Sequence, residues 1–197
     1  MSTLAPPPSP RMPPPMRWTV SEFHLLRGMP AFENRRMILV GGEIHDMPNP
    51  NPPHDIGIGQ LEDALRDAFG GGYWVRVQMA LVLGQMTDPV PDLAVVPGPK
   101  KTYTAHPTGA LLVVEIADSS LVYDTGDKAN LYAACRIADY WVLDLNNRLL
   151  HVFRDPVSDP AEPFGFRYGT HRTVAQSGNI APLAVPQAMI SVANLLP

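Results

Sequence analysis

Apolar residues recur at helical spacing between positions 58 and 69, and charged or polar residues occupy the opposite side of that pattern. Gly70-Gly71-Gly72 follows and predicts the end of this helix. A shorter helix is predicted after Thr19, because Thr19-Val20-Ser21-Glu22 has the form of a capping box. Gly28 and Pro30 end this second pattern. The apolar positions of the longer helix are Ile58, Leu61, Leu65, Ala68 and Phe69.

The other apolar runs have strand character. The run at 111–116 is apolar on both faces, as expected for a central strand that is covered on both sides. A third helical pattern follows, and its connection to the run at 140–143 is long enough for a parallel, right-handed crossover. The order of elements predicts an α/β domain with a mixed central sheet flanked by helices. The predicted strands are 37–40, 73–83, 92–96, 111–116, 140–143 and 149–153, with 164–174 as a further partner.

The chain divides into a short arm and one domain. Seven of the first 16 residues are proline, so residues 1–17 are predicted to form a disordered or polyproline-II arm. This arm is interpreted as an inert tail, with a ligand for a proline-binding partner as the alternative. Residues 18–197 suffice for a single domain with its own core.

Composition narrows the class of protein. The formal net charge of −4 disfavours a DNA binder that works by charge alone, but it is compatible with an enzyme whose carboxylates bind metal cations. Cys135 is the single cysteine, which fits a reducing cytoplasm and excludes an internal disulfide. There is neither an apolar run of about 18 residues nor a signal-peptide pattern, so a cytoplasmic protein without membrane association is expected.

Two acidic residues stand where predicted neighbouring strands meet polar segments. Asp92 precedes one apolar run and Glu115 ends another, so pairing of these strands would bring the two carboxylates together. Carboxylates at such a distance repel each other unless a proton or a cation lies between them. An oxygen-only pair with room for water suits Mg²⁺. The alternative is structural: each acid caps a loop amide or pairs with an arginine.

Lys128 is a candidate catalytic cation, since it shares one helix face with Leu131, Tyr132 and Cys135 and therefore points inward. Facing the two acids, its amine could orient or deprotonate an attacking water, or stabilise charge on a phosphoryl group. The alternative is a lysine whose stem covers apolar surface while its ammonium group reaches solvent. Asp124 or Thr125 is interpreted as a cap of this helix.

Further candidates surround these residues. Glu43 follows a glycine pair and could provide another metal ligand, although a solvated acid is the simpler interpretation. His54 would extend the inward face of the long helix if that helix began early. Gln78 lies within an apolar run and should form a hydrogen bond there. Lys100 and Lys101 lie in a loop and are candidates for substrate binding.

The motifs of the chain, in their order, resemble those of the Uma2 family of bacterial endonucleases in the PD-(D/E)xK nuclease superfamily. The resemblance runs from about residue 19 to about residue 154. It is carried by Gly42-Glu43, Pro53-His54, Pro91-Asp92-Leu93-Ala94-Val95-Val96, Val114-Glu115-Ile116-Ala117-Asp118-Ser119-Ser120, Tyr123-Asp124, Lys128, Leu131-Tyr132-Ala133 and Asp139-Tyr140-Trp141-Val142-Leu143-Asp144.

The resemblance implies a restriction-endonuclease-like core and Mg²⁺-dependent hydrolysis of phosphodiester bonds, with Mn²⁺ as a substitute. Asp92 and Glu115 would be metal ligands, and Glu43 would complete the set. In the superfamily pattern a lysine stands two residues after the second acid, where this chain has Ala117. Lys128 matches the lysine usual in the family, and its helix would return the ammonium group to the same place.

Three functions follow as hypotheses. The first is a metal-dependent endonuclease that acts on nucleic acid, with DNA as the expected substrate and a homodimer as the expected assembly, because cutting both strands of a duplex needs two sites. The second is a nuclease-fold protein, weakly active or inactive, that binds nucleic acid or a protein partner; the acidic charge, the displaced lysine and the proline-rich arm favour it. The third is an oligomeric protein whose acids are structural.

Overall fold

A six-stranded mixed β-sheet forms the centre of the fold in the computed structural model, which describes residues 14–47 and 51–197. The helices are α1 (Val20–Arg27), α2 (Pro52–Phe69), α3 (Leu121–Thr125) and α4 (Asp127–Ala134). The strands are β1 (Met37–Val40), β2 (Glu43–Asp46), β3 (Tyr73–Val77), β4 (Leu93–Pro97), β5 (Leu112–Ala117), β6 (Asp139–Asp144), β7 (Leu149–Ser158), β8 (Phe166–Ala175), β9 (Asn179–Ile180) and β10 (Ile190–Ser191). Short 3₁₀ turns occupy Pro30–Phe32, Gly70–Gly72, Lys100–Thr102 and Val192–Leu195.

The strand order of the central sheet is β3-β4-β5-β6-β7-β8. Strands β5 and β6 are parallel, and α3 and α4 form the crossover between them. The other neighbouring pairs of this sheet are antiparallel. The predicted mixed sheet flanked by helices is therefore confirmed. Strands β1 and β2 form a separate antiparallel hairpin, and β9 pairs with β10.

Both faces of the central sheet are covered. Helix α2 and the C-terminal segment pack on one face, where Leu61 and Leu65 contact the apolar side chains of β4, β5 and β6. Helix α4 covers the other face, where Tyr132 packs against Tyr140, and Tyr140 packs against Phe153. All six residues of β5 are buried, as the run of apolar residues predicts for a central strand.

Several boundaries differ from those predicted. The predicted strand at 73–83 ends at Val77, because Gln78 has a φ of 48° and the left-handed backbone there leaves the sheet. The long helix begins at Pro52, earlier than the apolar pattern at 58–69 indicates, since the Asn51 side chain accepts a hydrogen bond from His54 N. The capping box at Thr19 is confirmed.

The crossover segment contains two helices where one was predicted. Gly126 separates α3 from α4, and a Cβ atom at this position would lie 2.8 Å from the Val122 carbonyl oxygen. The close approach of backbone to backbone therefore requires glycine at the break.

The N-terminal prediction lies largely outside the described residues. Residues 14–17 are exposed and have no regular secondary structure, and the earlier part of the predicted arm is not described. The folded part begins where Trp18 N donates a hydrogen bond to Gly42 O. Within the described ranges, no helix is long and apolar enough to cross a membrane.

Asp139 joins the C-terminal segment to the sheet. Its carboxylate accepts hydrogen bonds from Arg154 Nε, Trp141 Nε1 and Leu183 N, each at 2.8 Å, and is fully buried. Asp139→Asn should lower the free energy of unfolding by roughly 3 kcal/mol, because it leaves the Arg154 cation without its counterion. Urea denaturation measures this change. Asp159→Asn, which breaks the more exposed ion pair with Arg167, should change the free energy of unfolding by less than ~1 kcal/mol. Equal losses in the two variants would contradict the structural role of Asp139.

Candidate active site

A cavity of about 330 Å³ opens at the edge of the sheet where β4 begins. The first turn of α2 and the segment from β5 to α4 enclose it. Its charged lining consists of acidic side chains together with Arg36 and the ammonium group of Lys128, and two histidines also line it. The acidic lining residues are Asp46, Asp92, Glu115, Asp118 and Asp124.

Asp92 and Glu115 lie side by side in this cavity. Leu93 of β4 pairs with Val114 of the antiparallel β5. Asp92, which directly precedes β4, therefore lies opposite Glu115. Asp92 N donates to Glu115 Oε2 at 3.3 Å, and Ile116 N donates to Asp92 Oδ2 at 2.8 Å. Asp92 is 8% exposed and Glu115 is 2% exposed. The two acids are therefore close together, as predicted, and both are buried.

Lys128 extends from α4 to the same two-strand junction. Its Nζ lies 2.9 Å from Glu115 Oε2 and 3.1 Å from Asp124 Oδ1. Tyr132, one turn further along α4, donates its hydroxyl to Glu115 Oε1 at 2.7 Å. The helix thus brings a cation next to the acid of β5, although the strand position two residues after Glu115 is occupied by Ala117.

Asp124 was interpreted as a helix cap, and that interpretation is wrong. The structure gives neither α3 nor α4 a side-chain cap, and Asp124 is 2% exposed and faces the cavity. Ser120 Oγ donates to its Oδ2 and Lys128 Nζ donates to its Oδ1. The spacing of four residues between Asp124 and Lys128 is the sequence signal for this pairing.

Burial and charge set the protonation of the cluster. Burial raises the pKa of Glu115 to about 8, because the nearby Lys128 offsets only part of the lost hydration and the neighbouring carboxylates oppose ionisation. Burial alone would lower the pKa of Lys128, but the charges of Glu115 and Asp124 raise it above its ordinary value. Lys128 is therefore an ammonium ion at neutral pH, and the first proton that the cluster loses comes from a carboxyl group.

The raised pKa of Glu115 predicts a pH dependence of stability. Between the ordinary pKa of 4.5 and the folded value of about 8, the folded state binds more protons than the unfolded state. The contribution of Glu115 is therefore fully present below pH 4.5 and is lost as pH rises through about 8. In EDTA, the free energy of unfolding of the parent should fall over this window, and Glu115→Gln should reduce the fall.

Urea denaturation at pH 5, 6, 7 and 8 measures this prediction. Glu62→Gln is the control, because Glu62 pairs with Arg66 on the outer face of α2 and should leave the pH profile unchanged. An identical profile for the parent and Glu115→Gln would show that Glu115 ionises normally in the folded protein.

His54 and Gln78 both line the cavity. His54 Nε2 lies 3.1 Å from Asp92 Oδ2, and this hydrogen bond raises the pKa of His54 against the effect of burial. Burial acts to raise the pKa of Asp92, but the hydrogen bond and charge of His54, together with Ile116 N and Lys128, lower it. Gln78 N donates to the Asp92 carbonyl at 2.9 Å. Both residues therefore position Asp92.

Three predicted site residues lie elsewhere. Glu43 is half exposed at the start of β2, pairs with Arg17 at 2.7 Å and does not line the cavity. Lys100 and Lys101 are exposed in the 3₁₀ turn after β4, at the opposite end of that strand from Asp92. The described structure does not bring these side chains to Asp92 and Glu115, because the β1–β2 hairpin turns Glu43 toward Arg17 and β4 runs its full length before Lys100.

Comparison with known proteins places the chain in a family. Residues 20–191 match the Uma2 family, whose description is "Putative restriction endonuclease". The chain belongs to the Uma2 family. The match includes the whole central sheet and every residue of the cavity. No curated protein is a detectable relative by sequence.

A solved structure has the same fold. It is described as a "putative nuclease belonging to DUF820" from Anabaena variabilis and superposes with a TM-score of 0.66. The sequence identity is 14%, and the alignment covers 90% of this chain and 96% of the other. The restriction-endonuclease-like core expected from the Uma2 motifs is thus supported by an experimental structure.

The donor set in this Uma2 protein fits a hard divalent cation that keeps part of its water shell. Among the described residues, no three carboxylate, imidazole or thiol groups converge as a complete metal centre. Mg²⁺ commonly binds through one or two carboxylates, with water and phosphate as its other ligands. Asp92 and Glu115 provide such a pair, and Asp92 Oδ1 accepts no hydrogen bond from any described residue.

Proposed function

We propose that this Uma2 protein is a metal-dependent endonuclease that hydrolyses phosphodiester bonds in DNA. The observation that carries the proposal is the buried cluster of Asp92, Glu115 and Asp124 around the ammonium group of Lys128. When Glu115 is ionised, the three acids and one lysine leave an excess of negative charge at the edge of a water-accessible cavity. A bound cation would neutralise this excess, and a phosphodiester could then approach.

Asp92 and Glu115 would hold Mg²⁺, or Mn²⁺ in its place. The bound cation would neutralise charge on the phosphoryl group and lower the pKa of a coordinated water. The residues of the chain then have separate tasks. His54 and Ile116 N hold Asp92 Oδ2 in place, while Tyr132 holds Glu115 Oε1. Both carboxylates are therefore preorganised before any ligand binds.

Lys128 acts as a charged hydrogen-bond donor in this proposal. Its raised pKa makes it a poor base at neutral pH, which disfavours removal of a proton from the attacking water. An ammonium group close to Glu115 instead orients that water or stabilises negative charge on the phosphoryl oxygens. Asp124 holds Lys128 from the other side and keeps the ammonium group at the cavity wall.

We propose that the protein forms a homodimer, because one cavity can cut only one strand of a DNA duplex at a time. This cavity contains one Asp92 and Glu115 pair. Cleavage of both strands of a duplex by one assembly would use the cavities of two copies.

Incubation of the purified protein with plasmid DNA, single-stranded DNA and RNA tests the function. With Mg²⁺ or Mn²⁺ we expect DNA to be cut, and with EDTA we expect no product. Absence of cleavage of all substrates in both metals would refute the proposal. Binding without cleavage would favour the alternative of a nuclease-fold binding protein. Preferential cleavage of RNA would keep the nuclease and overturn the choice of DNA.

A further inference from the structure

A second, open groove lies along β3, the edge strand of the central sheet, and borders the cavity. Gln78 lines both, so the groove begins where the cavity ends. The described residues that line the groove include no aspartate or glutamate, in contrast to the acidic cavity. Its cationic and aromatic lining residues are Arg27, Trp74, Arg76, Tyr103 and His106.

The groove and the acids share one face of the sheet. Trp74 and Arg76 are two residues apart in β3, so their side chains leave the strand on the same side. Arg76 pairs with Ala94 of β4, two residues after Asp92, and the same alternation places Ala94 and Asp92 on one face. A strand of substrate lying along this face would therefore pass from the cavity directly into the groove.

Arg76 is a buried cation without a counterion. It is 3% exposed, its Nη2 donates to Ala80 O at 2.8 Å, and its Nε has no hydrogen-bond partner. Among the described residues no carboxylate forms an ion pair with it, and burial lowers its pKa. An unpaired buried charge is costly, and an arginine in this state attracts phosphate, which it can bind through two parallel hydrogen bonds.

Aromatic rings stand beside this arginine. The guanidinium carbon of Arg76 lies 4.4 Å from the centroid of the Trp74 ring, and the Tyr103 ring lies 5.4 Å from the same indole. Aromatic side chains next to cations form the usual platform for unpaired bases. Bases inside a duplex are already stacked on their neighbours, so such a platform selects a strand whose bases are free.

We propose that this groove, defined by Trp74, Arg76, Tyr103 and His106, binds an unpaired segment of the DNA strand next to the phosphodiester in the cavity. The positive charge of Arg76 attracts a phosphate of that segment to the groove wall, and Trp74 and Tyr103 stack on its bases. The proposal rests on the proposed nuclease function for the position of the strand. It adds that the preferred substrate has single-stranded character beside the site of cleavage.

Fluorescence anisotropy tests the groove without cleavage. The probes are a labelled 20-nucleotide single strand of mixed-sequence DNA, its duplex and an RNA of the same sequence, all in EDTA. The parent should bind the single strand more tightly than the duplex. Trp74→Leu, which keeps apolar bulk and loses the indole, should weaken binding of the single strand about 5- to 150-fold, as expected for a lost base–aromatic stack.

Phe166→Leu is the matched control, because Arg136 lies 4.4 Å from the Phe166 ring centroid on the opposite edge of the sheet. It should change the affinity less than twofold. Arg76→Gln should weaken binding and lower the salt dependence by about one phosphate contact. Circular dichroism verifies that each variant folds, and Trp74→Leu decides the outcome if Arg76→Gln does not fold.

The results separate this proposal from the proposed function. Equal affinity of the parent for duplex and single strand, equal binding by Trp74→Leu and the parent, or tighter binding of RNA would overturn the groove assignment, whether or not the protein cuts DNA. Loss of binding in Trp74→Leu but not in Phe166→Leu would support the groove assignment even if no cleavage occurs in Mg²⁺ or Mn²⁺. Absence of cleavage would refute only the nuclease function.

Discussion

Asp92→Asn is expected to reduce metal-dependent DNA cleavage by roughly 10³-fold or more, because it removes one of the two carboxylates that would hold the cation. Asparagine has nearly the shape of aspartate, and its amide oxygen can still accept the hydrogen bond from Ile116 N. The free energy of unfolding should therefore change by less than about 1.5 kcal/mol. Initial rates of plasmid nicking, measured with urea denaturation of the same samples, give both quantities.

Asp88 provides a matched control for this change. It is also buried, and its Oδ2 also contacts a histidine, His24, at 2.7 Å, but it does not line the cavity. Asp88→Asn should leave the cleavage rate within about threefold of the parent if it folds. If Asp92→Asn cuts at the rate of the parent, the cavity is not the active site. If both variants lose activity equally, the loss reflects folding.

Lys128→Met is expected to lower the free energy of unfolding at pH 8 by about 3–5 kcal/mol and to abolish cleavage. The change leaves Glu115 and Asp124 buried beside each other without the cation that contacts both at 2.9 and 3.1 Å. At pH 5 the loss of stability should be smaller, because Glu115, whose pKa burial raises to about 8, is then neutral and needs no counterion. Urea denaturation at the two pH values measures the difference.

Lys101→Met is the control for this prediction, because Lys101 is an exposed lysine and no ion pair involving it is found among the described residues. It should change stability by less than ~0.5 kcal/mol at both pH values. Lys128→Arg tests the role of the charge itself, since arginine keeps the cation and alters its geometry. A loss of stability in Lys128→Met that is the same at pH 5 and pH 8 would contradict the electrostatic explanation.

The strands and helices followed from local sequence wherever one physical cause dominated. The apolar run of β5 specifies a strand buried on both faces, and the capping box at Thr19 specifies the start of α1. The predictions failed where backbone conformation depended on packing or close approach. Gln78 ends β3 in a left-handed conformation, and Gly126 divides the crossover into two helices, although neither event leaves a change in hydrophobic periodicity.

Asp92, Glu115 and Lys128 could be selected from the sequence because charged residues are unusual beside buried strands and on inward helix faces. Their order along the chain also carried the resemblance to the Uma2 family, which the comparison confirmed. The tertiary structure decided which other groups join them. It brought Asp124 into the cluster and left Glu43 with Arg17, because side-chain direction depends on how each element packs.

The sequence by itself thus determined the class of fold and the family, and it selected the acids that we propose as metal ligands, since these depend on residue types and their spacing. Only the tertiary structure decided that Lys128 stands between two buried carboxylates, and that a groove with an unpaired arginine continues the cavity. Both features depend on distances between residues far apart in the chain. Such distances are set by strand register and helix packing, which local sequence does not encode.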